Sequence, residues 1–192
     1  AKDGRVFRAE QLMISAGAWG HHLTAQFGET VPVTVRCPQM NVTEPVPYAI
    51  EPVLGVSSAV ASEVVYLRQV ARGNIVFGGG FRVTPDPETH FAYVKPDNSL
   101  NQFKQIARIV PALRRLNIIR VWSGIEGYTD DDLPVMGPSS KVPGLYYAFG
   151  FCGHGFQLGP GVGDVMAELI ATGTTSTPID PFTIARFQQR AK

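Results

Sequence analysis

Cysteine is scarce in this sequence, and neither sign of charge is in excess. Cys37 and Cys152 are its two cysteines, far apart in the chain. No CxxC or HExxH spacing occurs, which removes the common zinc patterns. Both thiols read as free, in a reducing cytoplasmic compartment, rather than as a disulfide. With 17 Lys and Arg against 16 Asp and Glu, the formal net charge is +1. A balance so close to neutral offers no field for a phosphate backbone, so nucleic acid is not an expected partner. No apolar run approaches the roughly 20 residues that span a bilayer. The most apolar helical stretch, Val162–Ile170, carries Asp164 and Glu168. Repeats and low-complexity tracts are missing too. Like charges gather at Asp130, Asp131 and Asp132, which read as a solvated turn, and no metal site is expected. The opening residues, AKDGRVFRAEQ, suit neither an initiator segment nor a signal peptide and read as the inside of a domain.

Hydrophobic residues make up 44% of the 192 and charged ones 17%. That composition predicts a packed core in one domain or two small interleaved ones. Leu12–Ile14 is a short apolar run followed by small residues, hence a buried strand; a helix then begins within Ala18–Phe27. From Val31 to Phe81 the pattern changes. Val31–Val35 alternates as a half-buried strand does, prolines punctuate at 38, 45, 47 and 52, and Glu63–Leu67 with Asn74–Phe77 forms a hairpin around Gly73. This block predicts an antiparallel sheet. Asn98 or Ser99 would cap a helix whose Leu100, Phe103, Ile106, Ala107 and Val110 pack on that sheet, with Pro111 at its end. The last block returns to strand–glycine loop–helix order: Leu145–Phe149, then Gly150–Gly163, then a helix that stops at Gly173. The fold class is therefore mixed α+β and α/β, with an α/β domain interrupted by a second domain. The predicted division is 1–29, 30–120 and 121–192.

Three segments carry chemistry. In AFGFCGHGFQLGPGVGDVMAELI, Ala148–Ile170, glycines stand at 150, 153, 155, 159, 161 and 163 ahead of a helix. Glycines let backbone N–H groups approach a ligand, and a helix N-terminus favours negative charge. The same glycines also suit close helix–strand packing. The spacing is not GxGxxG, and no acidic residue follows at the dinucleotide-binding distance. Ser15-Ala16-Gly17-Ala18-Trp19-Gly20 is the second segment, small residues at a strand's end. In the third, RVWSGIEGYTDDDLPVMG, Arg120–Gly137, Trp122 and Tyr128 flank Gly124 and Gly127. His154 among glycines is a candidate hydrogen-bond donor or general acid/base. Cys152 has no visible acid–base partner.

Together these segments resemble the D-amino-acid oxidase-like FAD-dependent oxidoreductases, among them the sarcosine oxidase β subunit, opine oxidase, proline or hydroxyproline dehydrogenase subunits and glycine oxidase. AEQLMISAGAW resembles the strand returning to the FAD domain, VWSGIEGYTDDDLPVMGP the W-x-G…T-P-D-x-x-P-x-x-G stretch, GLYYAFGFCGHGFQLGPGVG the flavin-facing loop, and DPFTIARF the closing residues. The likeness covers nearly the whole chain, while the GxGxxG βαβ unit that opens family members is not found. The chain thus resembles the C-terminal half of such an enzyme.

The resemblance implies a bacterial amine or amino-acid oxidoreductase that passes hydride from a C–H beside nitrogen to flavin. It implies a substrate-binding domain over 30–120, flanked by segments of an FAD-binding domain. FAD would lie near Ala16, Gly17, Trp122, Gly124, Gly150, Phe151, Gly153, His154, Gly155, Phe156 and Gln157, without a covalent link at Gly124. Substrate would meet Tyr66, Glu126 and Gln157. Positions where relatives carry carboxylate-binding cations hold Glu126, Gly153 and Gln157, so either a cation comes from elsewhere, such as Arg68, Arg82 or the missing half, or the substrate is not anchored by a carboxylate there; Glu126, if it faces the pocket rather than solvent, would favour a substrate with a cationic group. Small amines or amino acids are the expected substrates, other subunits of a hetero-oligomeric oxidase the expected partners. The 192 residues alone are expected to hold no stoichiometric FAD and to self-associate. The rival reading is a non-catalytic subunit-interaction or structural module of flavoprotein ancestry.

Overall fold

The computed structural model describes residues 3–86 and 90–188. In chain order the elements are β1 (Leu12–Ile14), a 3-10 turn (Gly17–Trp19), α1 (Gly20–Ala25), β2 (Val33–Arg36), β3 (Gln39–Pro45), β4 (Leu54–Val56), β5 (Val65–Gln69), β6 (Asn74–Gly79), α2 (Pro96–Ile109), β7 (Ile118–Ser123), β8 (Glu126–Thr129), β9 (Val135–Pro138), β10 (Leu145–Phe149), α3 (Gly155–Thr172) and α4 (Ala185–Gln188). They divide into two units. One comprises Ala1–Val35 with Glu126–Lys192, the other Arg36–Ile125. No helix among the described residues is long and apolar enough to cross a membrane.

The Arg36–Ile125 unit is built on an antiparallel sheet in the order β4-β5-β6-β3-β7. On β5, Val65, Leu67 and Gln69 are buried while Tyr66 and Arg68 are exposed, the alternation of a sheet covered on one face. The cover is α2. Val65, Leu67, Ile75, Phe77, Ile106 and Leu113 form the core beneath it. Burying an aliphatic or aromatic side chain of this size contributes about 1.5–3 kcal/mol, so the cluster stabilises the unit more than any polar contact in it.

The helix docks differently from the expectation. Leu100 is exposed, and Asn98, Ser99, Gln102 and Ile106 are buried instead. Asn98 and Ser99 lie inside the helix, because Pro96 at its first turn, with φ already fixed and no N–H to satisfy, starts it earlier. Their side chains serve tertiary contacts. Asn98 accepts from the Phe81 amide at 3.2 Å and donates to the Phe81 carbonyl at 2.9 Å. Ser99 Oγ accepts from Gln39 Nε2 at 2.6 Å, and Asn41 donates to Gln102. Most of these groups pair with one another, which makes a polar seam tolerable in a buried interface, and Asn41 Oδ1 alone of them has no hydrogen-bond partner among the described residues.

The predicted hairpin is β5–β6. Its turn needs glycine. Gly73 has φ +102°, and a Cβ there would stand 2.1 Å from the Val46 carbonyl oxygen. Gly73→Ala is therefore expected to lower stability by about 2 kcal/mol or more, through strained backbone plus overlap. A urea midpoint equal to wild type is the contrary result.

In the other unit β1 runs parallel to β10, and β9 pairs antiparallel on the far side of β10. Ile14, Val135, Leu145, Tyr147, Phe149 and Phe187 pack on one side of these strands. Met166 and Leu169 of α3 meet Met136, Ala148 and Ile179 on the other. Gly20 lets α1 settle onto Phe149, whose ring a Cβ would strike at 2.4 Å. Two expectations are corrected here. The strand at 33–36 pairs with β8, not with the five-stranded sheet. The stretch 155–163 is helix rather than loop, since α3 begins at Gly155 and runs to Thr172. Its glycines mask a helical period that only becomes apolar from Val162 onward.

Glu29 is fully buried at the heart of this unit. Its carboxylate accepts from Tyr147 Oη at 2.6 Å, from Ser140 N at 2.8 Å and Oγ at 2.7 Å, and from Ser139 Oγ. Nearer the end of the chain, Arg186 pairs with Asp131 at 2.9 Å and donates to the Leu133 and Phe182 carbonyls. Asp131 thus anchors the C-terminal segment. Burial would push its carboxyl up, but the hydrogen bonds and charge of Arg186 hold it below the usual range.

Candidate cofactor-binding site

Parallel neighbours β1 and β10 end on the same side of their sheet, in register Ile14 with Tyr147. Ser15-Ala16-Gly17 leaves one strand there and Gly150–His154 the other. The carboxyl edge of adjacent parallel strands is where open α/β sheets bind ligands. The two segments are connected through β8: Gly127 packs at Ala18, and its carbonyl accepts the Cys152 amide at 3.3 Å.

The loop after β10 is held in an unusual shape. Gly150, Cys152 and Gly153 all have positive φ, at 71°, 52° and 87°. Glycine takes this conformation without penalty; cysteine does not. Cys152 is kept there by burial, with its Sγ 3.2 Å from the Gly150 carbonyl and 3.4 Å from Thr129 Oγ1. No imidazole or carboxylate is among these neighbours, so the thiol lacks the base a nucleophile needs.

The loop delivers the chain into the 18-residue α3. The first amides of a helix have no intrahelical partner, and here the end is open: Gly153, His154 and Gln157 are exposed, and Phe156 is 98% exposed. His154 forms the N-cap without a capping side-chain bond. Its ring has no hydrogen-bond partner among the described residues, which therefore form no base–orienter pair around it. With Phe151, Leu133, Met136 and Phe182 it lines a mainly apolar cavity of about 570 Å³.

The glycines sort by what a side chain would meet. At Gly155 a Cβ would lie 3.3 Å from Phe151, and at Gly150 3.1 Å from Thr129, so these two permit close packing. At Gly159, Gly161 and Gly163, and at Gly17 with φ +54°, a Cβ meets nothing within 4 Å. Packing within the described residues therefore does not require the three helical glycines, although glycine costs a helix interior about 1 kcal/mol against alanine.

The FAD dependent oxidoreductase (DAO) family profile matches residues 1–169. The chain belongs to this family. It is 28% identical over 186 residues to glycine oxidase of Geobacillus kaustophilus, covering 95% of this chain and 46% of that one. It is 29% identical over 191 residues to hydrogen cyanide synthase subunit HcnC of Pseudomonas aeruginosa, with 95% and 42% covered. The solved structure of L-proline dehydrogenase from P. horikoshii superposes with a TM-score of 0.84 at 28% identity, over 94% of this chain and 47% of that one. The chain spans about half the length of the curated relatives it matches.

In this DAO-family chain the remaining predicted residues fall as follows. Trp122, Gly124 and Tyr66 belong to the Arg36–Ile125 unit. Trp122 is half-exposed with the Arg120 guanidinium 5.9 Å from its ring centroid, and Gly124 donates its amide to the Pro38 carbonyl at 3.1 Å. Glu126 sits on β8 in the other unit and is half-buried, with one oxygen accepting from Tyr128 Oη at 2.6 Å. The residues at the strand ends fit the family's cofactor on three physical grounds: open amides at a helix start, backbone reachable where no Cβ intrudes, and an aromatic surface at Phe156 left uncovered. The burial of Glu29 and the row that Arg68 shares with Arg120 have no signature in the linear sequence. A lone glutamate before a strand carries no mark of burial, and strand register is not visible in a linear sequence.

Proposed function

We propose that the chain forms one half of an FAD-dependent oxidoreductase acting on amines or amino acids. When bound, FAD supplies the two-electron chemistry, taking hydride from a substrate C–H beside nitrogen. Ala16, Gly17, Gly150, Phe151, Gly153, His154, Gly155, Phe156 and Gln157 would hold the cofactor through backbone amides and an aromatic face. The start of α3 would stabilise negative charge that develops on it. In the Arg36–Ile125 unit, Tyr66 and Trp122 present surface for the substrate, with Gly124 beside them. Relatives named for glycine and proline support a small amine or amino acid as substrate. The observation that carries the reading is the set of α3 glycines whose bare backbone no neighbour among the described residues requires.

Two measurements test it. The full-length protein should purify yellow, with a flavin spectrum that bleaches when an amine or amino-acid substrate is added without oxygen. A colourless full-length protein that takes up no added FAD overturns the reading. The 192-residue chain alone should carry no stoichiometric FAD. It should also elute larger than a monomer, because Leu12 and Met13 are exposed on β1, at the edge of its sheet, beside a groove of about 470 Å³. That same edge supports the second reading, an assembly module without catalysis of its own, and a relative named as a subunit fits either. A full-length protein that binds partner subunits but no flavin would favour the module.

A further inference from the structure

Register aligns two rows of side chains across the sheet face turned away from α2. In the first, Tyr66 on β5 stands opposite Gly78 on β6, Gly78 opposite Met40 on β3, and Met40 opposite Trp122 on β7. One pair further along, Arg68 stands opposite Val76, Val76 opposite Val42, and Val42 opposite Arg120. Tyr66 lies down across Gly78, with its hydroxyl 3.3 Å from Met40 Sδ; a Cβ on Gly78 would meet that hydroxyl at 2.8 Å. The face therefore has a flat aromatic-bordered row beside a row with an apolar floor, Val76 and Val42, and an arginine at each end. Both arginines are exposed. Among the described residues neither has a carboxylate partner, and Arg120 touches only the Trp122 ring. Glu44, further along β3, is already engaged by the Asn117 amide and side chain.

Strand spacing places the two arginine backbones about 14 Å apart, with β6 and β3 between. A guanidinium fork takes the two-oxygen edge of one carboxylate. An arginine at each end of a row with an apolar floor calls for an anion at each end and an uncharged or amine-bearing middle. We propose that this face binds a secondary amine carrying two carboxylates, one held by Arg68 and the other by Arg120, with Tyr66 and Trp122 bordering it. The inference rests on the amine-oxidoreductase reading above.

The test uses the full-length, FAD-loaded protein with iminodiacetate, glycine and glycinamide as probes, comparing wild type with Arg68→Gln and Arg120→Gln. Iminodiacetate should have the lowest KM of the three. Each variant should raise that KM about tenfold or more, the loss expected for one charge-assisted contact, with kcat changed less and the thermal midpoint unmoved. Arg68→Lys and Arg120→Lys should recover part of the loss, which a merely structural role would not predict. KM values for iminodiacetate that neither Gln variant moves, or glycinamide accepted as readily as iminodiacetate, overturn the inference while leaving the amine-oxidoreductase reading intact. If no probe bleaches the flavin, calorimetric affinity for iminodiacetate in the same variants decides the inference. A protein that takes up no FAD counts against the earlier reading instead.

Discussion

Glu29→Ala is expected to destabilise the protein by about 3 kcal/mol, a large share of the 5–15 kcal/mol that holds a typical domain together. The side chain is fully buried and accepts from four donors on Ser139, Ser140 and Tyr147. Removing it leaves those donors in a cavity, each costing about 1–3 kcal/mol when unsatisfied, reduced where a hydroxyl can rotate or a water can enter. Glu29→Gln should lose less, because its amide keeps one acceptor while turning an N–H₂ toward two donors. The acid limb of the stability curve separates charge from shape. Burial alone would raise the Glu29 pKa, but hydrogen bonds from Ser139, Tyr147 and Ser140 outweigh it and hold the carboxyl below its ordinary range. A lowered folded pKa contributes stability that is complete above the unfolded value, near 4.3, and is lost as pH falls through the folded value. Wild type and Glu29→Gln should therefore converge in urea midpoint as pH drops below about 4. Parallel curves down to pH 2 would mean that the carboxylate's charge contributes nothing.

Much of this architecture was legible because it follows period and punctuation. The turn at Gly73 between two apolar runs marked the β5–β6 hairpin, and the run Leu145–Phe149 marked β10 to the residue. What escaped was pairing. Val33–Arg36 alternates like any half-buried strand, and only tertiary contact assigns it to β8. The polar seam of α2 defeated the apolar pattern: Leu100 fits the helical period yet is exposed, while Gln102 is buried because Asn41, Gln39 and Gly79 satisfy its amide. At the candidate site the glycine-rich segment was visible, but not which glycines pack and which stand bare. The Arg68–Arg120 row needed the register of four strands, information that no single segment contains.

Side chains added at Gly159 and Gly163 should have opposite consequences in the two forms of the protein. In the 192-residue chain a Cβ at either position meets nothing within 4 Å. Both lie inside α3, where alanine is favoured over glycine by about 0.8–1 kcal/mol. Gly159→Ala and Gly163→Ala should therefore each raise the stability of the isolated chain by up to that amount. In the full-length protein, if cofactor or neighbouring polypeptide lies against this bare backbone, the larger Gly159→Leu and Gly163→Leu changes should lower FAD retention at least about tenfold, the effect of losing one contact worth 1.4 kcal/mol. Flavin absorbance per protein after dialysis measures this directly. Pro160 sharpens the expectation: it has no N–H, so the Phe156 carbonyl lacks its helical donor next to the open glycine face. A helix that accepts this loss and three interior glycines is poorly optimised as a helix, and an approach by something outside the described residues explains the sequence better than local stability does. Two results would contradict that explanation. Alanine variants that destabilise the isolated chain would show that packing within it had required the glycines, and leucine variants with a full flavin complement would show that the cofactor is held elsewhere.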